Sequence, residues 1–262
     1  MRLVLRRATT GLTTQALLVT ILFVAIAAMA VRQPADNDTW WHLKSGQLMW
    51  EQAEILRTDP FSHTVRGEPW IDHGWLAQIA LWAVYVGLGL PGLSLLLAAI
   101  VTASFALVFH QCPGRPFIAA FATLLGTLTS SVIWAIRPQS FSFLLTAVLG
   151  YLLFRYKKTR NARWLWPVPL LVVVWVNTHG AFVVAFVLIG CYVVGETLNR
   201  LTGHDTAAPL RPLLAVTAAS LPAIVVNPNT VDMIPYAYQT VSIGQLQTFI
   251  QEWAAPDFHN LQ

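Results

Sequence analysis

The segment 36–82 concentrates the side chains of this chain that can share a proton or hold a polar ligand. It contains seven of the twelve acidic residues and six of the eleven tryptophans, together with the histidines His42, His63 and His73. A carboxylate in such a setting can take the proton of an attacking hydroxyl group. We call this stretch the acidic segment, and beside a bilayer it predicts chemistry on an amphiphilic substrate.

Asp38 is the candidate general base. It follows the first apolar run by only a few residues, which keeps its carboxylate near the membrane surface and within reach of a lipid-linked group. The alternatives are that Asp38 is a solvated loop acid or that it caps a helix suggested by residues 39–54. Asp36 and Asp38 also form an Asp-x-Asp element that could hold a divalent cation, but three residues are too weak a pattern to assign a metal site.

Two further pairs in the acidic segment are candidate substrate contacts. Trp41 and His42 would place an indole ring and an imidazole at headgroup depth, and the alternative for Trp41 is an interfacial aromatic belt. Asp72 and His73 stand where the segment returns to the membrane at Trp75. An ionisable pair at this depth indicates a functional site, although capping of the next helix by Asp72 explains it equally well.

Two polar residues elsewhere belong to the same predicted site. Arg137 lies between two apolar runs and offers a bidentate fork for a phosphate oxygen, or else it snorkels to the headgroups. His179 lies in the polar break Asn177-Thr178-His179-Gly180, either as part of a site or as a hydrogen-bonded turn.

The elements that position these residues are predicted to be membrane helices. With 56% hydrophobic and 11% charged residues and a mean hydropathy of +0.58, the fold class is an all-α polytopic membrane protein. One further apolar run, 75–90, carries Trp75, Gln78 and Trp82 at helical spacing and is predicted to lie in the interface. Seven spans are expected near 13–31, 92–110, 117–136, 140–156, 164–178, 181–198 and 211–226.

The charge distribution predicts the orientation of these spans. With a cytoplasmic N-terminus and an interfacial run at 75–90, eleven of the sixteen basic residues are cytoplasmic and ten of the twelve acids are outside. Arg137 and His179 then share the extracytoplasmic face with the acidic segment. The expected division is a transmembrane domain over 1–228, with a first extracytoplasmic loop at 32–91, and an extracytoplasmic segment over 229–262.

Several other classes of protein do not fit. Cys112 and Cys191 have no metal-ligand spacing and suggest no disulfide framework. There is no Walker A loop, dinucleotide fingerprint or nucleophile elbow. The net charge of +4 reflects basic cytoplasmic loops rather than a nucleic-acid surface. A basic N-terminus before Ala28-Met29-Ala30 also fits a signal peptide, but the length of the apolar run favours an uncleaved first helix.

Taken together, the motifs resemble a bacterial branch of the GT-C membrane glycosyltransferases, distantly similar to protein O-mannosyltransferases and lipid A aminoarabinose transferases. The resemblance covers nearly the whole chain. The motifs that carry it are Asp38-Thr39-Trp40-Trp41-His42-Leu43, Thr58-Asp59-Pro60-Phe61-Ser62, Pro69-Trp70, His73-Gly74-Trp75-Leu76, Arg137-Pro138-Gln139-Ser140-Phe141-Ser142, Asn177-Thr178-His179-Gly180, Asn227-Pro228 and Glu252-Trp253.

The resemblance implies a seven-helix core in the bacterial cytoplasmic (inner) membrane, with the active face outside. It implies that Asp38 is the catalytic base and that the donor is a polyprenyl-phosphate sugar, transferred with inversion and without a bound nucleotide cofactor. Arg137 and His179 are then the candidates to hold the lipid phosphate. The predicted substrate-binding set is Asp36, Trp41, His42, Asp72, His73, Arg137 and His179.

Two departures from the pattern keep a second hypothesis open. The branch usually has Glu where this chain has Gly74, and its members continue with more helices beyond the length of this chain. The alternative is therefore a non-catalytic or truncated membrane subunit that binds a partner protein or lipid. A lipid or solute carrier is a third class, disfavoured because the predicted spans contain few central ionisable residues.

Overall fold

The computed structural model describes residues 13–203 and 208–243, and the regular secondary structure in these ranges is helical. Within these ranges there is no strand, and one isolated bridge joins Thr58 to Pro69. The helices, in chain order, are α1 (Thr14–Ala30), α2 (Asn37–Gln52), α3 (Trp75–His110), α4 (Pro116–Ser130), α5 (Gln139–Thr159), α6 (Val168–Thr178), α7 (Val183–Leu201), α8 (Leu210–Ser220) and α9 (Met233–Ser242).

The helix boundaries follow from local sequence signals. The Thr13 hydroxyl accepts a hydrogen bond from the Ala16 N–H and so caps α1. Proline opens α4 at Pro116 and precedes α6 at Pro167, where its fixed φ suits a first turn and its missing N–H costs nothing. Arg160 adopts a left-handed conformation (φ 56°) and ends α5.

Helix α3 is two helical segments joined at a break. Its 36 residues would measure about 54 Å as one straight helix, far more than the roughly 30 Å of a bilayer core. Gly89 has φ 62° and ψ −160°, a conformation that glycine adopts without strain, and Pro91 follows. The break falls where the sequence predicted a change from the run at 75–90 to the span at 92–110. The interfacial position of the first segment stays a prediction.

The prediction of seven spans is not supported. In the described part of the chain, three helices are long and apolar enough to cross a membrane: Trp75–His110, Pro116–Ile133 and Gly180–Leu201. The second is α4 with the 3-10 turn Ser131–Ile133, and the third is α7 with the 3-10 turn Gly180–Phe182. A fourth is reached if Leu210–Val225 and Thr230–Tyr236, bent by 117°, form one broken span. The prediction was wrong because it counted apolar runs without their helical lengths: α6, for example, has 11 residues and measures about 16 Å.

Two hydrophobic cores hold the helices together. The first is built by α5 to α8 around fully buried Trp175 and Tyr156. The second is built by α1 to α4 and the turn before α5, around Leu93 and Phe105. Many large apolar side chains on other helix faces are exposed, including Val187 and Leu170. Such faces are typical of helices that contact lipid, so the fold fits a membrane protein.

The acidic segment is fastened to the ends of the helices. The Thr39 hydroxyl donates to the Ile136 carbonyl at 3.1 Å, which ties α2 to the turn before α5. The Trp75 indole N–H donates to the Asn177 side chain, whose amide donates in turn to the Val226 carbonyl. These bonds bring the end of α6, the start of α3 and the turn after α8 to one end of the molecule.

Candidate functional site

Asp36, Asp38 and Arg137 form an ionic group where α2 begins. Asp36 is the N-cap of α2: its Oδ1 accepts the Asp38 backbone N–H at 2.8 Å. Its Oδ2 lies 2.5 Å from Arg137 Nη2, and Asp38 Oδ2 lies 3.2 Å from Arg137 Nη1. The helix cap is therefore Asp36 rather than Asp38, whose side chain stays 44% exposed.

The guanidinium fork of Arg137 already contacts two carboxylates in the chain itself. Arg137 does not snorkel away from the acidic segment, as one interpretation of the sequence had it, but joins the segment to the start of α5. The Asp-x-Asp element faces this cation. Within the described residues, no group of three or more His, Cys, Asp or Glu side chains is arranged to hold a metal ion.

Gln78 links His42 to Asp72 in a buried chain of polar groups. Its amide nitrogen donates to Asp72 Oδ1 at 2.9 Å and lies 3.3 Å from His42 Nδ1. Asp72 Oδ1 also accepts the Gly74 N–H at the start of α3. All three side chains are buried. The sequence placed Gln78 on a headgroup-facing surface, and the structure corrects this: Gln78 packs between α2 and α3.

Burial shifts the pKa values of Asp72 and His42 away from their ordinary values. Loss of water raises the pKa of the Asp72 carboxyl to about 6, against its hydrogen bonds to Gly74 and Gln78. Asp72 Oδ2 and Gln78 Oε1 are buried with no hydrogen-bond partner among the described residues. Burial, with added repulsion from His73 and Arg137, lowers the pKa of His42 to about 3. His42 is therefore neutral at pH 7.

His73 and His179 lie side by side, with ring centroids 5.8 Å apart. The Ser142 hydroxyl lies 2.9 Å from His179 Nδ1, and the Ala181 N–H donates to the same nitrogen at 3.3 Å. His179 Nδ1 is thus an acceptor, which leaves the ring proton of a neutral imidazole on Nε2. His73 Nδ1 lies 2.6 Å from the hydroxyl of Tyr236 in α9.

Both of these histidines are neutral as well. Burial is the main cause that lowers the pKa of His73 to about 4, opposed by its hydrogen bond to Ile71. Burial, followed by the nearby His73, lowers the pKa of His179 to about 4. At pH 7 the three imidazoles can donate and accept hydrogen bonds but add no positive charge, and Arg137 supplies a positive charge beside them.

A cleft of about 890 Å³ opens beside these groups. One wall is apolar and comes from α3, α5 and α7, with Leu97, Phe143 and Val184 among its residues. Its polar lining includes Asp36, Arg137 and His179. The cleft therefore offers an ionic region and a hydrocarbon surface to a single ligand, which is the arrangement an amphiphile needs.

The structure brings the predicted residues into one region, but only some of them line the cleft. Asp36, Arg137 and His179 line the cleft, and Asp38 joins them through Arg137. The other predicted residues lie outside the cleft lining. Trp41 packs against His42, with ring centroids 3.7 Å apart. Asp72 is hydrogen-bonded to Gln78, and His73 lies beside His179. Glu252-Trp253, part of the sequence pattern, lies outside the described residues.

Sequence reasoning missed Ser142, Tyr236 and the true position of Gln78. Ser142 connects two elements, because its Oγ also accepts the Trp175 indole N–H at 2.7 Å. Serine and tyrosine carry no pattern that marks them as partners of a histidine far away in the chain. Only the spacing of Ser142 within the motif around Arg137 could have drawn attention to it.

Gly74 stands where the family that the sequence resembles usually has glutamate, and its neighbours are Gln78 and Pro138. A Cβ atom here would be 3.4 Å from Gln78 Nε2 and from Pro138 Cγ, an ordinary contact distance. The backbone at Gly74 therefore has room for a Cβ atom, which would lie next to the buried group formed by His42, Gln78 and Asp72. Comparison with known proteins does not assign this geometry to a family: no protein-family model matches the chain, and no curated protein or solved structure is significantly similar to it.

Proposed function

We propose that the chain is a membrane glycosyltransferase of the GT-C type, which transfers a sugar from a polyprenyl-phosphate donor to an extracytoplasmic acceptor. The observation that carries the proposal is the cleft, because its apolar wall and its Asp36–Arg137–His179 lining suit the two halves of such a donor. A volume of about 890 Å³ is in the range of cavities that enclose a small organic ligand.

The proposed roles follow from the positions of the charges. The donor phosphate binds Arg137, assisted by the Nε2–H of His179, and displaces one of the carboxylates that Arg137 now contacts. The acceptor hydroxyl attacks the sugar C1 from the face opposite the phosphate. Its oxygen forms the new C1–O bond, Asp38 takes its proton, and the old C1–O bond breaks to release polyprenyl phosphate with the configuration inverted.

The proposed location is the bacterial cytoplasmic membrane, with the N-terminus in the cytoplasm and the cleft on the extracytoplasmic side. Support comes from the ends of α7: the cleft residues lie at its start, whereas Arg200 and the basic end of α5 lie at the other end. Cytoplasmic ends of membrane proteins are enriched in Lys and Arg.

The test is the substitution Asp38→Asn in the purified chain, reconstituted in liposomes with a polyprenyl-phosphate hexose and a candidate acceptor. Asparagine keeps the size of the side chain but cannot accept the proton, so transfer should fall about 100-fold or more. Binding of the donor should change little, because the variant retains Arg137 and His179.

Glu54→Gln is the matched control, since Glu54 is an exposed carboxylate of the same segment. It should leave transfer unchanged. Undiminished transfer by the Asp38→Asn variant would remove Asp38 from the role of base. If the unaltered chain binds the donor lipid but transfers no sugar, the result supports the alternative of a non-catalytic subunit.

A further inference from the structure

At the end of the molecule opposite the cleft, the described residues carry an excess of positive charge. Six of its cations come from the last turns of α5 and α7 and from the turn before α6: Arg155, Lys157, Lys158, Arg160, Arg163 and Arg200. We call these six residues the basic end. The one described carboxylate beside them is Glu196, which is 1% exposed and already bound to Lys157 at 2.8 Å and to the Ala208 N–H at 2.6 Å.

Two of these cations share one indole ring. The Arg155 guanidinium carbon lies 4.3 Å from the Trp164 ring centroid, and that of Arg163 lies 5.5 Å from it. Arg155 Nη1 also donates to the Tyr151 hydroxyl at 2.9 Å. A ring face attracts a cation but does not neutralise it, so two like charges are held together with no described carboxylate between them.

The stack of Arg155 on Trp164 contains two N–H groups that lack a hydrogen-bond acceptor among the described residues. Arg155 Nε and Trp164 Nε1 are both buried donors with no acceptor among the described residues. Buried N–H groups are usually paired, and such a gap calls for a ligand or an ordered solvent molecule. The local chemistry therefore fits an anion with several acceptor oxygens that can approach two arginines at once, as a phosphodiester does.

The surroundings indicate a lipid rather than a soluble anion. The span Gly180–Leu201 ends here, so the basic end lies where a helix leaves the hydrocarbon. Trp166 is 82% exposed and Leu201 is 78% exposed. Exposed tryptophan beside Arg and Lys is typical of the headgroup layer, where anionic lipids attract basic residues.

We propose that Arg155 and Arg163, stacked on Trp164, bind the headgroup phosphate of an anionic phospholipid, with Lys158 beside them and Trp166 in the headgroup layer. This site does not depend on the proposed glycosyl transfer. It lies at the other end of α7 and involves none of the cleft residues.

The experiment counts lipids that stay bound to the purified chain in native mass spectrometry, after titration in detergent with phosphatidylglycerol or phosphatidylcholine. Phosphatidylglycerol should bind more tightly, and each of Arg155→Gln and Arg163→Gln should weaken it about fivefold. The double variant should bind both lipids alike. Added salt should weaken the binding of phosphatidylglycerol by the unaltered chain.

Arg66→Gln is the matched control, because Arg66 is an exposed arginine of the acidic segment at the other end. It should retain the preference for phosphatidylglycerol. Equal binding of both lipids by the unaltered chain, or full retention by the double variant, would overturn the proposal. Displacement of phosphatidylglycerol by inorganic phosphate, or by an acidic peptide, at comparable concentration would overturn the assignment to a lipid. Matching thermal unfolding curves establish that the variants are folded.

Discussion

The positive charges at the two ends of helix α7 differ in how many carboxylates accompany them. The span Gly180–Leu201 has 22 residues, so about 33 Å separates the cleft from the basic end. At the cleft, the Arg137 cation is 17% exposed and contacts Asp36 and Asp38. At the basic end, six cations stand beside one described carboxylate, Glu196, which pairs with Lys157.

This difference separates two kinds of recognition. In the cleft, the neutral His179 and a paired guanidinium give fixed hydrogen-bond geometry in a partly dry setting, where electrostatic interactions are strong. At the basic end, exposed side chains produce a field that attracts negative charge with little demand on geometry. The cleft should therefore be sensitive to single atoms, and the basic end to the number of charges.

The largest effect is expected from Arg137→Gln. This change leaves Asp36 and Asp38 facing each other without their cation and removes the proposed phosphate ligand. Sugar transfer should fall about 1000-fold, the scale seen when a donor to a reacting oxyanion is removed. The measurement is the initial rate in proteoliposomes that contain a polyprenyl-phosphate hexose.

Arg163→Gln at the basic end is the control for that comparison. It removes the same charge from an exposed position and should leave the transfer rate within about twofold, because surface charges act weakly at this distance. Comparable losses in the two variants would contradict the division of the molecule into two ends with different roles.

The next largest effect is expected from Gly46→Ala, which tests how closely the cleft end is packed. A Cβ atom at this position would lie 2.2 Å from the Gln78 carbonyl oxygen, so α2 and α3 would have to separate. The free energy of unfolding should fall by about 3 kcal/mol, an overpacking cost. Gly190→Ala in α7 is the control, since a Cβ atom there would meet no other atom within 4 Å, and its thermal unfolding in detergent should match that of the unaltered chain.

The sequence predicted the helical class and the grouping of the acidic segment with Arg137 and His179. Both rest on strong regularities: apolar runs form helices in membranes, and charge divides between the two sides. The break in α3 could also be anticipated, because Gly89 and Pro91 both interrupt a helix. The predicted number of spans is not supported, because hydropathy does not show how long each helix is when short helices and turns interrupt an apolar run.

The inner arrangement of the candidate site could not be predicted, for a different reason. His42 is far from Gln78 and Asp72 in sequence, and only the packing of α2 on α3 makes it their neighbour. Gln78 looked like an interfacial residue because its spacing with Trp75 and Trp82 matches one helix face. That face, however, is covered at Gln78 by α2, which the spacing within α3 alone cannot reveal.

A pH-dependent loss of stability should follow from the buried histidines. Their pKa values in the folded chain, about 3 for His42 and about 4 for His73 and His179, lie below the ordinary 6.5. The unfolded chain therefore binds more protons between pH 4 and 6.5, and stability falls as the pH falls through this range. Each histidine should reduce the free energy of unfolding by about 2 kcal/mol between pH 7 and pH 5.

Asp72 opposes this trend because its pKa is raised to about 6, so the folded chain gains a proton that the unfolded chain, with the ordinary value of 3.8, does not bind. Three histidines outweigh one carboxyl group, and the net result is destabilisation by acid. His42→Gln should make the midpoint of thermal unfolding less sensitive to pH, whereas His63→Gln, at an exposed position, should not. A melting temperature that rises from pH 7 to pH 5 would show that these imidazoles are not buried in neutral form.

The smallest effect is expected at the basic end, where Glu196 and Lys157 form its internal ion pair. Glu196→Gln keeps an acceptor for the Ala208 N–H and loses the charge interaction with Lys157, which is 46% exposed and screened by water. The free energy of unfolding should fall by about 1 kcal/mol. Lys157→Gln should cost more, because it leaves the buried carboxylate without its cation, and the double variant should regain part of that loss. Thermal unfolding of the three variants measures this cycle, and strictly additive losses would mean that the pair has no coupling. Sugar transfer should be unchanged in all three, since a local change of charge at this end does not reach the cleft.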